Sequence, residues 1–174
     1  MPMPQKYKLK VVIIGEHAAG KTSLIKNFVE GKFSADYRPT IGTNIFIKKI
    51  TFENGDEATL TVWDVAGQER WLSMRPLYYK GSSGALIVGD LTRKSTFDQI
   101  LKFWAPDLKK NAGESIPILL IANKCDLTRE ATDEEIHDCM NKIKAIDAVV
   151  TSAKNGDNVN KAFMTLTNAI LKKG

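Results

Sequence analysis

Residues 15–22 read Gly-Glu-His-Ala-Ala-Gly-Lys-Thr and are followed by Ser23. Glycine, four residues, then glycine, lysine and a hydroxyl is the spacing that lets backbone N–H groups curl around a phosphate, provided a strand precedes and a helix follows. Gly15, Glu16, His17, Ala18, Ala19 and Gly20 would form the cradle. A helix starting near Lys21, Thr22 and Ser23 would add the positive end of its dipole. Lys21 would place a cationic charge on the β- and γ-phosphates, and the Thr22 hydroxyl is a hard oxygen suited to Mg²⁺. Stripped of that context, the run is a glycine turn before a helix.

Three further stretches offer matching chemistry. Trp63 to Arg70 reads WDVAGQER, with Asp64 at a strand end, where a carboxylate can hold a water on Mg²⁺. Gly67 can bring a backbone N–H to a terminal phosphate without a side chain in the way, and Gln68 can orient an attacking water. Asn123, Lys124, Cys125 and Asp126 form NKCD, in which the carboxylate can accept from guanine N1–H and N2–H₂, a donor pair that adenine lacks. Thr151, Ser152, Ala153 and Lys154 form TSAK, which can present the Ala153 N–H to guanine O6. An isolated Asp ending a strand is a turn or cap, and an isolated NKCD is an Asx-turn; the ordered set argues for a nucleotide.

These motifs need a frame that sets them side by side. Apolar runs at Lys8–Ile14, Gly84–Val88, Pro117–Ala122 and Ala148–Thr151 read as strands. Ile45–Phe52 and Ala58–Trp63 flank a turn containing Asn54-Gly55 and should pair as an antiparallel hairpin. Helical spacing recurs at Leu24, Ile25, Phe28 and Val29, and again at Phe97, Ile100, Leu101, Trp104 and Leu108 with Ser95 as the expected cap. Pro106 should kink or shorten that second helix. Thr132 and Glu135 have capping-box spacing for a helix to about Ile143, and Val159, Phe163, Leu166 and Ile170 mark a closing one. The expectation is an α/β three-layer sandwich: a six-stranded, mostly parallel sheet with one antiparallel edge strand and helices on both faces. Each motif then follows a strand, at the carboxyl end where such sheets bind ligands.

The 174 residues suit a single domain spanning 1–174, with residues 1–6 expected to be a flexible N-terminus. Hydrophobic content of 43% and charged content of 26% exclude disordered and fibrous classes. Cys125 and Cys139 fit neither a disulfide framework nor a zinc spacing, and no signal peptide or membrane-length run is present, so a cytoplasmic protein is expected. The net charge of +5 is scattered, without a basic stripe or a nucleic-acid motif.

With all four motifs in order, the chain resembles the Ras-superfamily small GTPases from Tyr7 to about Lys172, and Rab proteins in YRPTIG, WDVAGQER and LYYKGSSGALIVGDLT. The resemblance implies a P-loop NTPase fold, GTP and GDP as ligands with Mg²⁺ as cofactor, and effectors, exchange factors and activating proteins as partners of a monomer. It implies that Thr40 joins Thr22 and Asp64 around Mg²⁺ in the GTP state. Phe33 would pack on the guanine and Tyr37 would cover the phosphates. Switch loops are implied near Phe33–Ile41 and Ala66–Tyr79. Trp63, Trp71 and Tyr78 are expected at an effector surface, with packing on the sheet as the alternative for Trp63. His17 stands where a small residue is usual and would crowd an activating arginine. TIGTNIF places its phenylalanine one residue later than TIGVDF, which turns a strand side chain to the other face. The ending LKKG has no cysteine for lipid, so a peripheral membrane role would need a further tail. The competing reading is a GTP-binding scaffold with little hydrolysis.

Overall fold

The computed structural model describes residues 3–31, 43–67 and 73–173. Six strands run β1 Lys6–Gly15, β2 Thr43–Thr51, β3 Glu57–Val65, β4 Gly84–Asp90, β5 Ile118–Asn123 and β6 Asp147–Val150. They form one sheet in the order β2-β3-β1-β4-β5-β6. β1 pairs in parallel with β3 and β4, β4 with β5, and β5 with β6. Only the β2–β3 pair is antiparallel, which is the expected hairpin.

The burial of the strands explains why their sequences differ. β4 and β5 are buried along their whole length and read as unbroken apolar runs, whereas β3 alternates between buried and half-buried residues because it lies toward the sheet edge. One face of the sheet carries Val11, Ile13, Leu86, Val88 and Leu119 against α1 Lys21–Glu30 and α6 Val159–Lys173. There Phe28 and Phe163 stack with ring centroids 4.0 Å apart. The other face carries Val12, Ile14, Ala85, Ile87 and Leu120 against Trp104, Leu108 and Ile136 of the remaining helices. The α5 helix Asp133–Ile143 begins with the expected capping box, in which Glu135 N–H donates to Thr132 Oγ1 and Thr132 N–H to Glu135 Oε2.

One expectation is corrected. Ser95 opens α3 Ser95–Gln99 without capping it, and no side chain caps this helix start; the Thr96 hydroxyl instead accepts from Asp90 N–H and donates to Arg93 O. Pro106, expected to kink or shorten its helix, stands at the start of α4 just after a departure from α-helical geometry. A π turn, Ile100–Trp104, widens the chain just before it, with Ala105 N–H reaching back to Ile100 O, and α4 continues over Ala105–Ala112. Proline has no N–H, so the Lys102 carbonyl already lacks its α-helical donor, and a wider turn there loses less. The short helix α2 Arg75–Tyr79 was not foreseen; its Arg75 and Tyr79 are buried.

β2 settles the shifted phenylalanine. Ile45 lies opposite Trp63 and is half exposed, whereas Phe46 turns inward against the α1–α6 core. The one-residue displacement therefore leaves isoleucine on the outer face.

Candidate functional site

β1 ends at Gly15 and α1 begins at Lys21, so residues 15–20 form a loop at the carboxyl edge of the central strand. Ala18 takes a left-handed conformation (φ 64°), uncommon for a residue with a Cβ, and Gly20 takes φ 98°. A Cβ on Gly20 would stand 2.3 Å from Asn123 Nδ2, so only glycine lets the β5 loop close on this one.

The loop is held through its carbonyls. Lys21 Nζ folds back to donate to Gly15 O (3.0 Å) and Glu16 O (2.9 Å). Arg93 Nη2 donates to His17 O (2.7 Å), Lys124 Nζ to Ala18 O (2.8 Å) and Asn123 Nδ2 to Ala19 O (3.0 Å). Because a trans peptide points its C=O and N–H in opposite directions, drawing these carbonyls toward cationic and amide donors turns the associated N–H groups the other way. Burial lowers the Lys21 ammonium to about 8, opposed chiefly by Asp64 and then Glu16, so it stays charged at neutral pH. Burial, then the charges of Lys21 and Arg93, push the His17 imidazole below its usual range despite Glu16, which makes it neutral there.

Asp64 is fully buried at the end of β3, and the Thr22 hydroxyl donates to its Oδ2. A hydroxyl and a carboxylate oxygen are hard donors and fit Mg²⁺, which takes one or two protein oxygens and completes its shell with phosphate and water. Gly67 lies against the loop. A Cβ there would stand 2.6 Å from both Gly15 O and His17 N. Phe33, Tyr37, Thr40, Gln68 and Trp71 lie outside the described residues. Trp63 and Tyr78 are neighbours with ring centroids 6.3 Å apart, and Lys10 Nζ sits 4.0 Å from the Trp63 centroid.

NKCD and TSAK meet at the ends of β5 and β6. Asn123 Oδ1 accepts from Thr151 Oγ1 (2.9 Å) and from Ala153 N–H (3.3 Å), so this buried side chain ties three loops together. Ser152 Oγ donates to Asp126 Oδ1 at 2.8 Å and itself accepts from Asn155 N–H. Ala153 N–H thus points at Asn123 and would exchange that long bond to serve a ligand. Lys154 is exposed beside it.

Asp90 was missed as a site residue. Fully buried at the end of β4, its Oδ2 accepts from Arg93 Nε (3.0 Å) and Lys124 Nζ (2.9 Å), the two cations that hold His17 O and Ala18 O. Burial raises its pKa, but hydrogen bonds from Thr92, Lys124 and Arg93 outweigh that and leave it lowered. Its stabilising contribution is therefore complete above the unfolded carboxyl value near ~3.9 and is lost on acidification through the lower folded value. Its signal in the sequence was an acidic residue closing an otherwise apolar strand. Asp90→Asn should destabilise the nucleotide-free protein by about 2 kcal/mol, reduced from a fully buried pair because both cations are partly exposed. Urea unfolding beside the parent checks this.

The sheet order, the loop between β1 and α1 and the lysine folded over it define a P-loop NTPase domain. The sequence matches the Ras family over residues 10–172. It is 39% identical to the mouse Ras-related protein Rab-22A over 165 residues, covering 94% of this chain and 84% of that one. Over 175 residues it is 41% identical to Rab-32A of Dictyostelium discoideum, covering 96% and 80%, and over 174 it is 37% identical to human Rab-12, covering 99% and 70%. The chain belongs to the Ras family, on its Rab branch, and is a GTP hydrolase. Among the described residues no helix is long and apolar enough to cross a membrane.

Proposed function

We propose that the chain, folded as one domain, is a slow GTP-hydrolysing switch of membrane traffic, working in the cytoplasm and at membrane surfaces as a monomer. The observation that carries this reading is Asn123, which joins the phosphate loop at Ala19 O to the TSAK loop at Thr151 and Ala153. Such a joint makes phosphate and base recognition one rigid unit, as a nucleoside phosphate requires.

In this reading, loop N–H groups and Lys21 receive the β- and γ-phosphates, and their fixed positive charge meets the negative charge that develops in transfer. Thr22, Asp64 and, in the GTP state, Thr40 hold Mg²⁺, which neutralises phosphate oxygens when bound. Gln68 orients the attacking water. Phe33 packs on the base, Tyr37 covers the phosphates, and Asp126 with Ala153 and Lys154 reads guanine. The segments near Phe33–Ile41 and Ala66–Tyr79 respond to the γ-phosphate and release on hydrolysis. Ile45, Trp63, Trp71 and Tyr78 receive effectors; the outward isoleucine opposite Trp63 supports that surface.

A single-turnover assay tests the switch: load with GTP, start with Mg²⁺ and follow GDP beside Gln68→Leu. Slow turnover in the parent that the variant lacks is expected. Equal persistence of GTP in both would refute timed hydrolysis and favour the scaffold reading motivated by His17.

A further inference from the structure

We infer that Trp104 is a positioning residue for the phosphate loop, acting through the Glu16 carboxylate; this rests on the loop being the phosphate cradle. The Trp104 indole N–H donates to Glu16 Oε1 at 2.9 Å, across 88 residues of sequence, and the ring is only 2% exposed. An indole N–H has no acceptor role, so a buried one needs a partner such as this carboxylate.

The helix is built to deliver that N–H. The π turn Ile100–Trp104 adds a residue to the turn that ends at Trp104, next to Pro106, whose missing N–H has already broken the α-helical ladder. Around the ring, Phe103 packs edge-on at 5.0 Å. The Arg75 guanidinium of α2 stands 4.9 Å from the Trp104 centroid and 4.5 Å from that of Phe103. Arg75 Nε is fixed in turn by Asp107 Oδ2 at 3.2 Å. The indole is therefore packed by its own turn and by α2, with α4 fixing Arg75, before it reaches the loop.

Glu16 is where such a hold has consequence. Its own carbonyl accepts from Lys21 Nζ, and its carbonyl carbon would lie 2.9 Å from a Cβ on Gly67. Securing the side chain secures the backbone on which the phosphate-binding cation and the approach of Gly67 both depend. Displacements of about 1 Å in such positioning groups cost up to about a hundredfold in rate.

The test is release of a fluorescent GDP analogue from the full chain in Mg²⁺. Trp104→Phe keeps a six-membered ring in the packing while removing the N–H together with the five-membered ring that carries it; it should speed release about tenfold, as expected for a lost hydrogen bond to a charged group. Glu16→Ala should do the same, the double variant no more than either single one, and Glu16→Gln, which keeps an acceptor oxygen, should recover much of the loss. A merely structural tryptophan would give additive effects and no recovery by glutamine. Unchanged release in Glu16→Ala, additive effects, or a Glu16→Gln no better than Glu16→Ala would overturn the inference; the glutamate variants decide it even if Trp104→Phe fails to fold. Lys21→Met separates the two levels. If it retains GDP like the parent, the cradle reading fails; if it releases GDP fast while Glu16→Ala does not, only the role of Trp104 fails.

Discussion

Asp126→Asn is expected to weaken GTP and GDP binding by at least about a thousandfold and to turn the preference toward xanthine nucleotides. In the proposed reading the carboxylate accepts two hydrogen bonds from the guanine edge, and a site built for such donors rejects ligands lacking them by about 10⁴-fold or more. Asparagine offers one acceptor and one donor group. It therefore sets an N–H₂ against a guanine donor, while the extra carbonyl of xanthine would suit it. Ser152 Oγ already fixes Asp126 Oδ1 at 2.8 Å, so little reorganisation is needed in the parent, and the same hydroxyl can orient the asparagine. Titration calorimetry with GDP and xanthosine diphosphate checks both halves. Undiminished GDP affinity would remove Asp126 from base recognition.

Lys21→Met is the second large effect, about a thousandfold in nucleotide affinity, because charge-assisted bonds to two phosphates are lost in a place water does not reach. The direction for folding is different. Burial already pulls the ammonium down to about 8, so it is costly to house without phosphate. An apolar chain of similar size removes that desolvation cost, which offsets the lost attraction to Asp64. Here the two carbonyl bonds to Gly15 and Glu16 are given up as well. The nucleotide-free variant should therefore unfold in urea no earlier than the parent, within about 1 kcal/mol, although it no longer binds. Nucleotide binding that survives the change would contradict the cradle; a large loss of stability would contradict the electrostatic account of the lysine.

Much of the frame was legible because its determinants are local. The apolar runs of β4 and β5 are buried on both faces, Asn54-Gly55 turns the hairpin, and Thr132 with Glu135 caps α5. Ser95 misled because several hydroxyl residues stood near the helix start. No side chain caps that start; the Thr96 hydroxyl serves β4 instead, accepting from Asp90 N–H. Pro106 marked the place of a helix distortion, and the structure supplies its form, a widened turn that keeps Trp104 and Leu108 both in the core.

The sequence by itself determined the order of the motifs along the chain, the glycine-rich loop before α1, the NKCD tetrapeptide and membership of the Ras family, since each motif rests on spacing within a few residues. Only the tertiary structure decided which distant side chains complete them. Asp90 reaches the loop through Arg93 and Lys124, Asn123 joins three loops, Ile45 takes the outer face in place of Phe46, and Trp104 meets Glu16 from the far helix. The physical reason is that hydrogen bonds and ion pairs form between groups a few ångströms apart in space. The pairing of parallel strands sets those distances, and local sequence patterns carry no record of them.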